Sequence, residues 1–186
     1  MISSFLWSMA IYCIICLPIY LIFRYIYMRK RQKHWLREGI MLLFFLYCVS
    51  IFSQTIIPNF YFVNGRIVLD TATTFSRSNF TPLNTILLFY YQLNGPFARI
   101  AFYNLVGNIV LFIPFGFFIP ILWPKFRGWI IMHVVAFSIP VFIECTQYFI
   151  GRSIDVDDVL LNAIAIVIGF VCYKVLWRIR KIMIVK

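Results

Sequence analysis

The chain has 186 residues, of which 63% are hydrophobic and 12% charged, with a mean hydropathy of +0.90. Soluble domains average roughly 45–50% apolar and about 25% charged residues, and a globule of this length cannot bury such an apolar excess. The composition therefore excludes a soluble enzyme, a secreted disulfide scaffold and a disordered regulator. It predicts an integral membrane protein, in which the net charge of +11 indicates topology and not nucleic-acid binding.

Five apolar stretches are long enough to cross a bilayer, which takes roughly 20 predominantly apolar residues. Between the second and third, residues 83–93 are apolar but too short to span, and we expect an interfacial or re-entrant helix there. The predicted fold class is an all-α, polytopic membrane helical bundle of one domain, residues 1–186. The predicted spans, in chain order, are 2–23, 39–57, 104–123, 129–150 and 159–177.

Basic residues divide unevenly between the two sides of the predicted membrane. Segment 24–38, turn 124–128 and the C-terminal end carry thirteen of the 17 lysines and arginines. Because segments rich in Lys and Arg stay in the cytoplasm, this asymmetry predicts an external N-terminus and an internal C-terminus. An odd number of spans agrees with these opposite locations.

Four of the six acidic residues lie close together, near the predicted outer face: Glu144, Asp155, Asp157 and Asp158. Glu144 lies within the fourth span, where a carboxylate is costly unless it is paired or hydrated, and such groups are commonly functional. Gln147 follows at i+3 on the same helical face. An interhelical hydrogen-bond clasp is the alternative that needs no ligand.

The start of the fifth span carries a second polar face. Asp155, Asp158 and Asn162 are spaced i, i+3, i+7 and share one side of a helix that begins near residue 154, with Arg152 as a counter-ion. In the alternative interpretation, Asp155 is the helix N-cap and the next aspartates complement the helix dipole. That alternative leaves Asn162 unexplained.

The third span contributes two amides at the same depth. Asn104 and Asn108 are spaced i, i+4, and Gly107 between them would permit close approach of a helix or a ligand. Polar groups from three helices thus converge, which predicts a ligand-binding pocket at the outer end. The predicted binding residues are Asn104, Asn108, Glu144, Gln147, Arg152, Asp155, Asp157, Asp158 and Asn162.

Four motifs follow one another in the chain. They are Asn79-Phe-Thr-Pro-Leu, Asn104-x-x-Gly-Asn continuing to Pro114-Phe-Gly, Glu144-x-x-Gln, and Arg152-x-x-Asp-x-Asp-Asp-x-x-x-Asn. As an ordered set they resemble the VanZ-like family of bacterial membrane proteins. The similarity covers about residues 78–177 and leaves residues 1–57 as an N-terminal two-helix extension. One departure is Ala165, which stands where the family often has glycine.

The resemblance implies a multi-pass protein of the bacterial plasma membrane with an accessory role in glycopeptide resistance, specifically toward teicoplanin. Under this hypothesis the outer pocket binds a lipid-linked cell-wall precursor or a lipoglycopeptide, and membrane lipids are the other partners.

Two alternatives come from other functional classes. A metal-dependent membrane enzyme would act on a lipid-linked phosphate or glycan, with Glu144, Asp155 and Asp158 as catalytic candidates and as ligands of Mg²⁺ or Ca²⁺. Against it, His34 and His133 are predicted toward the inner side, so no nucleophile–base pair can be assigned. An ion-coupled transporter is disfavoured by five spans without a repeat.

Overall fold

A computed structural model describes residues 2–29, 35–56, 60–63, 66–69 and 78–184 of the chain. The basic segment 30–34, which contributes to the predicted topology, and residues 70–77 lie outside the described residues. The elements are α1 Ile2–Met28, α2 Trp35–Thr55, β1 Phe60–Val63, β2 Arg66–Leu69, α3 Asn84–Gln92, α4 Ala98–Leu122, a 3-10 turn Pro124–Arg127, α5 Trp129–Phe149 and α6 Val156–Ile184.

Five of these helices are long and apolar enough to cross a membrane, which confirms the predicted class and number of spans. The second, third and fifth spans start earlier than predicted, because helical hydrogen bonds continue through the polar residues that border the apolar stretches. The short segment after residue 83 is helical, as predicted, in α3. The spanning segments are Met9–Met28, Trp35–Thr55, Ala98–Leu122, Trp129–Phe149 and Val156–Ile179.

The chain forms two compact units, unit 1 over Met1–Thr73 and unit 2 over Thr74–Lys186. In unit 1, α1 and α2 pack as an antiparallel pair. Arg24 forms an ion pair with Glu38 at one end, and the rings of Tyr20 and Phe45 stack with centroids 4.4 Å apart further along. The division separates the predicted two-helix extension from the region that carries the motifs.

Unit 1 also contains a β-hairpin in a segment whose polar residues favour a loop. Strands β1 and β2 pair antiparallel, with Phe60 opposite Leu69 and Val63 opposite Arg66. The residues between the strands are Asn64-Gly65, a dipeptide typical of two-residue hairpin turns. Aromatic and β-branched neighbours of this dipeptide are strand formers, and they decide the local structure.

Unit 2 is organised by α4 and α6, which run parallel although α5 lies between them in the chain. At one end Asn108 bonds Asp158, and at the other the Arg127 guanidinium lies 4.7 Å from the centroid of the Trp177 ring. Helix α5 returns antiparallel and packs on α6, where the Trp129 and Phe170 rings meet at a centroid distance of 4.9 Å.

Two glycines set the distance between α4 and α6. A Cβ on Gly116 would collide with the Ile166 carbonyl and would lie 2.6 Å from the Phe170 nitrogen. A Cβ on Gly169 would collide with the Ile113 carbonyl. The helices therefore touch backbone to backbone, which is the close approach that small residues allow in membranes. Ala165, which stands where the family often has glycine, is fully buried. Its methyl group is small enough to preserve close helix packing.

The two ends of unit 2 differ in charge. We call the end where α4 and α6 begin and α5 finishes the acidic end, because Glu144 and three aspartates lie there. We call the opposite end the basic end. It carries Lys125, Arg127, Lys174 and Arg178.

Candidate functional site

The acidic end begins with a tight turn that stops α5. Gly151 has a left-handed φ of 82°, its N–H donates to the Tyr148 carbonyl, and the Arg152 N–H donates to the Gln147 carbonyl at 3.0 Å. This is the Schellman pattern, which glycine permits because it has no Cβ. The turn brings the last coils of α5, with Glu144, beside the first residues of α6.

Asp155 organises the start of α6. Its Oδ1 accepts the Asp157 N–H at 2.9 Å, so Asp155 is the N-cap of the helix, as in the alternative that needs no ligand. The same carboxylate accepts the Asn79 amide at 3.0 Å and the Thr85 hydroxyl at 2.7 Å. Its backbone N–H donates to Glu144 Oε2 at 3.0 Å. Asp155 thus connects α6 with α5 and with the segment before α3.

Asp157 caps α3 from a distance of more than 70 residues in the chain. Its side chain is 0% exposed, and its oxygens accept the backbone N–H groups of Leu83, Thr85 and Ile86 at 2.5, 2.6 and 3.1 Å. A carboxylate at this position satisfies unpaired donors of the first helical turn and complements the helix dipole. It also holds Leu83 in a left-handed conformation, with φ of 68°, that a leucine rarely adopts.

Asn79 is a member of this network that the predicted set of binding residues lacks. It forms a short parallel bridge with α6, since its N–H donates to the Ile154 carbonyl at 2.8 Å and its carbonyl accepts the Val156 N–H at 3.1 Å. Thr85, the hydroxyl donor to Asp155, is a second omission. Asn79 is the first residue of the first of the four motifs, and the occurrence of these motifs together is the sequence signal that could have identified it. The residues around Asn79 give no indication that its partner, Asp155, lies 76 residues later in the chain.

Glu144, Asp158 and Asn162 form the part of the cluster with unused hydrogen-bonding capacity. Glu144 is 5% exposed and uses one oxygen for Asp155, while Asp158 is partly buried and uses Oδ1 for the Asn108 amide at 2.9 Å. Among the described residues, the second oxygens of both carboxylates have no hydrogen-bond donor. Asn162 is 5% exposed, and its buried Oδ1 has no partner in the described part of the chain. We call these three residues the open face.

The charges at the acidic end are unbalanced. Glu144 interacts electrostatically with Asp155, Asp158 and Arg152, and Asp158 does so with Arg152 and the other two aspartates. Among the described residues, Arg152 is the cation that acts on Glu144 and Asp158, and its side chain is exposed to solvent. Such a site favours a cation or a group rich in hydrogen-bond donors.

The remaining predicted residues are not part of the open face. Asn104 is exposed, and its amide bonds the Ile100 carbonyl of its own helix at 2.9 Å. Gln147 is half-buried, and its carbonyl holds the turn after α5. No described atom lies within 4 Å of a Cβ built on Gly107, so that glycine does not serve helix packing within unit 2.

Some of the carboxylates that the sequence offers for a metal ion are already engaged by donors within the protein. Among the described residues, no group of three or more His, Cys, Asp or Glu side chains is arranged to hold a metal. Both oxygens of Asp155 and of Asp157 already accept N–H or O–H donors. One oxygen is left over on each of Glu144 and Asp158. The described residues thus present no preformed cluster of three or more carboxylates for a metal ion, and the metal-dependent enzyme stays an alternative hypothesis.

Comparison with known proteins identifies a family for most of the chain. The family model described as VanZ/LLP1 matches residues 44–178, which include most of α2, the whole of α3, α4 and α5, and most of α6. The matched region contains every residue of the acidic cluster and extends beyond the predicted core into unit 1. No curated protein and no solved structure matches the chain.

Proposed function

This chain belongs to the VanZ/LLP1 family, and we propose that its acidic end binds the polar head of an amphiphilic cell-envelope molecule. The observation that carries the proposal is the open face. Buried polar groups in proteins are almost always hydrogen-bonded, and those within membrane helices are costly when they are not. The partnerless Oδ1 of Asn162 and the half-used carboxylates of Glu144 and Asp158 therefore favour an external partner.

The surroundings of the open face suit an amphiphile. Tyr103 on α4 and Tyr148 and Phe149 on α5 are 61%, 58% and 84% exposed, and Tyr91 on α3 is 74% exposed. Aromatic side chains at such positions sit at headgroup depth, where the bilayer changes from hydrocarbon to water. A ligand with a polar head and an apolar tail would meet the carboxylates with its head while its tail remains in lipid.

Charge asymmetry supports an outward orientation of this site in the bacterial plasma membrane. Lys125, Arg127, Lys174 and Arg178 at the basic end are the type of residue retained in the cytoplasm, which leaves the acidic end on the external side. Lipid-linked cell-wall precursors and lipoglycopeptides are the external amphiphiles that we propose as ligands. The physiological role we propose is accessory, namely reduced susceptibility to teicoplanin.

We expect Glu144→Gln to lower the amount of the specific amphiphile that copurifies with the full chain by about tenfold, the equivalent of one charge-assisted hydrogen bond. Wild type and variant would be purified in mild detergent, and bound lipids and precursors quantified by mass spectrometry. Glu38→Gln is the matched control, because it removes a carboxylate of unit 1 that already pairs with Arg24. Equal recovery of every amphiphile from Glu144→Gln and wild type would contradict the proposed site.

The resistance role is checked in the same strains. Teicoplanin susceptibility of cells that express Glu144→Gln should return to that of cells without the protein, while Glu38→Gln keeps the wild-type value. Membrane abundance of each variant is measured by immunoblot. Unchanged susceptibility of Glu144→Gln cells at normal abundance would exclude this site from resistance and leave the binding result standing.

A further inference from the structure

The open face presents three hydrogen-bond acceptors that no described donor uses. Glu144 and Asp158 each offer one carboxylate oxygen beyond those used by Asp155 and Asn108. Asn162 follows Asp158 by four positions in α6, so the two side chains occupy one helical face a turn apart. The buried Oδ1 of Asn162 adds a third acceptor at that face.

The sign of the surrounding charge narrows the chemistry of the ligand. Arg152 is the cation that acts on both Glu144 and Asp158, and each of these carboxyl groups also faces the negative charge of at least two others. A phosphate or carboxylate at the open face would add another negative group to this set and would be repelled. A neutral sugar would satisfy the acceptors but leave the charge unbalanced. A protonated amine does both, because it carries a positive charge and three N–H donors.

We infer that the open face of Glu144, Asp158 and Asn162 binds a protonated primary amine carried on an apolar chain. This inference rests on the proposed binding of an amphiphile and specifies the head that is recognised. The amine donates to the second oxygens of the two carboxylates and to the Asn162 carbonyl, and the exposed aromatic residues border the chain that follows. Both an aminophospholipid and a simpler alkylamine present this chemistry.

Dioleoyl lipids with identical chains test the head group directly. The full chain in dodecyl maltoside would be titrated with phosphatidylethanolamine, its N-acetyl derivative, phosphatidylcholine and phosphatidylglycerol, and binding measured by native mass spectrometry. We expect phosphatidylethanolamine to bind at least about tenfold more tightly than the N-acetyl derivative, which lacks the charge. Phosphatidylcholine, which keeps the charge without N–H donors, should fall between them. Dodecylamine should compete if the amine alone is recognised and should not if the phosphate is also required.

Variants locate the preference on the open face. In Glu144→Gln and Asp158→Asn we expect the ratio between the free and the acetylated amine to fall to within about twofold. Asn162→Leu, which preserves size and removes the acceptor, provides a third variant if a carboxylate change prevents folding. Thr146→Ala is the control at the same depth, because the Thr146 hydroxyl bonds the Phe142 carbonyl of its own helix. That control should keep the wild-type ratio.

The possible outcomes separate this inference from the proposed function. Saturable binding with equal affinity for free and acetylated amine, or a preference for phosphatidylglycerol, would overturn the amine specificity and leave amphiphile binding in place. Failure of all four lipids and of dodecylamine to bind saturably would overturn the amine specificity too. Because the copurification experiment uses ligands from the cell, the proposed function would still be judged by its own result.

Discussion

Gly116→Ala should lower the free energy of unfolding of the full chain by about 3 kcal/mol, the upper end of the usual cost of overpacking. The added methyl group would meet the Ile166 carbonyl and the Phe170 nitrogen, which are backbone atoms that no rotamer change can move. The parallel helices α4 and α6 would have to separate along their contact. Unfolding in mixed micelles of dodecyl maltoside and increasing sodium dodecyl sulfate, followed by circular dichroism, measures the change.

Gly107→Ala is the matched control in the same helix. Nothing described lies within 4 Å of its new Cβ, and alanine is the better helix former by about 1 kcal/mol. We expect it to leave stability unchanged or to raise it slightly. Equal stability of Gly116→Ala and Gly107→Ala would mean that α4 and α6 do not approach as closely as the structure has them.

Asp157→Ala should detach the start of α3 and cost about 2–4 kcal/mol, because three backbone N–H groups lose a charged acceptor. The carboxylate that serves Leu83, Thr85 and Ile86 is fully buried, so water replaces it poorly. Hydrogen–deuterium exchange should show faster exchange of the amides in residues 83–92. Exchange along α5, which Asp157 does not contact through any bond described above, should change little.

Thr85→Val distinguishes the cap that Asp157 provides from the neighbouring hydrogen bond to Asp155. It removes only the hydroxyl that donates to Asp155 and keeps the backbone N–H that donates to Asp157. Its cost should stay below about 1.5 kcal/mol, the value of one ordinary hydrogen bond. Unchanged protection of residues 83–92 in Asp157→Ala would show that α3 holds its position without the carboxylate.

The sequence contains enough to predict the spans and the acidic end. Apolar length identifies five membrane helices, and the i+4 spacing of Asp158 and Asn162 correctly places them on one face of a single helix. Two aspartates that the sequence predicts as ligand-binding residues cap helices, Asp155 for α6 and Asp157 for α3, and their part in binding stays a prediction. Capping by Asp157 depends on a segment that lies over 70 residues earlier, and helical periodicity has no information about such a partner.

Asn104 and the β-hairpin also show that sequence patterns do not predict which partner a side chain or a segment takes. Asn104 and Asn108 lie on one face by spacing, yet only Asn108 reaches α6, because the side chain of Asn104 bonds its own helix near the exposed end. In the hairpin, strand-forming residues around Asn64-Gly65 outweigh the polar residues that suggest a loop. Both outcomes depend on competition between local hydrogen bonds and tertiary partners, which a pattern of polar and apolar residues does not resolve.

The parallel pairing of α4 with α6 fixes the order in which unit 2 can be completed during synthesis. The ribosome synthesises α3, α4 and α5 before α6. Until α6 is made, the face of α4 that carries Gly116 has no helix to pack on, and the first N–H groups of α3 have no acceptor from α6. When α6 enters the bilayer, Gly169 closes the α4 contact and Asp157 supplies the missing cap in the same step. Unit 2 is therefore complete only when α6 has been inserted. A nascent chain truncated before α6 would expose the helix-packing face of α4 and the uncapped N–H groups of α3, which membrane quality control could recognise.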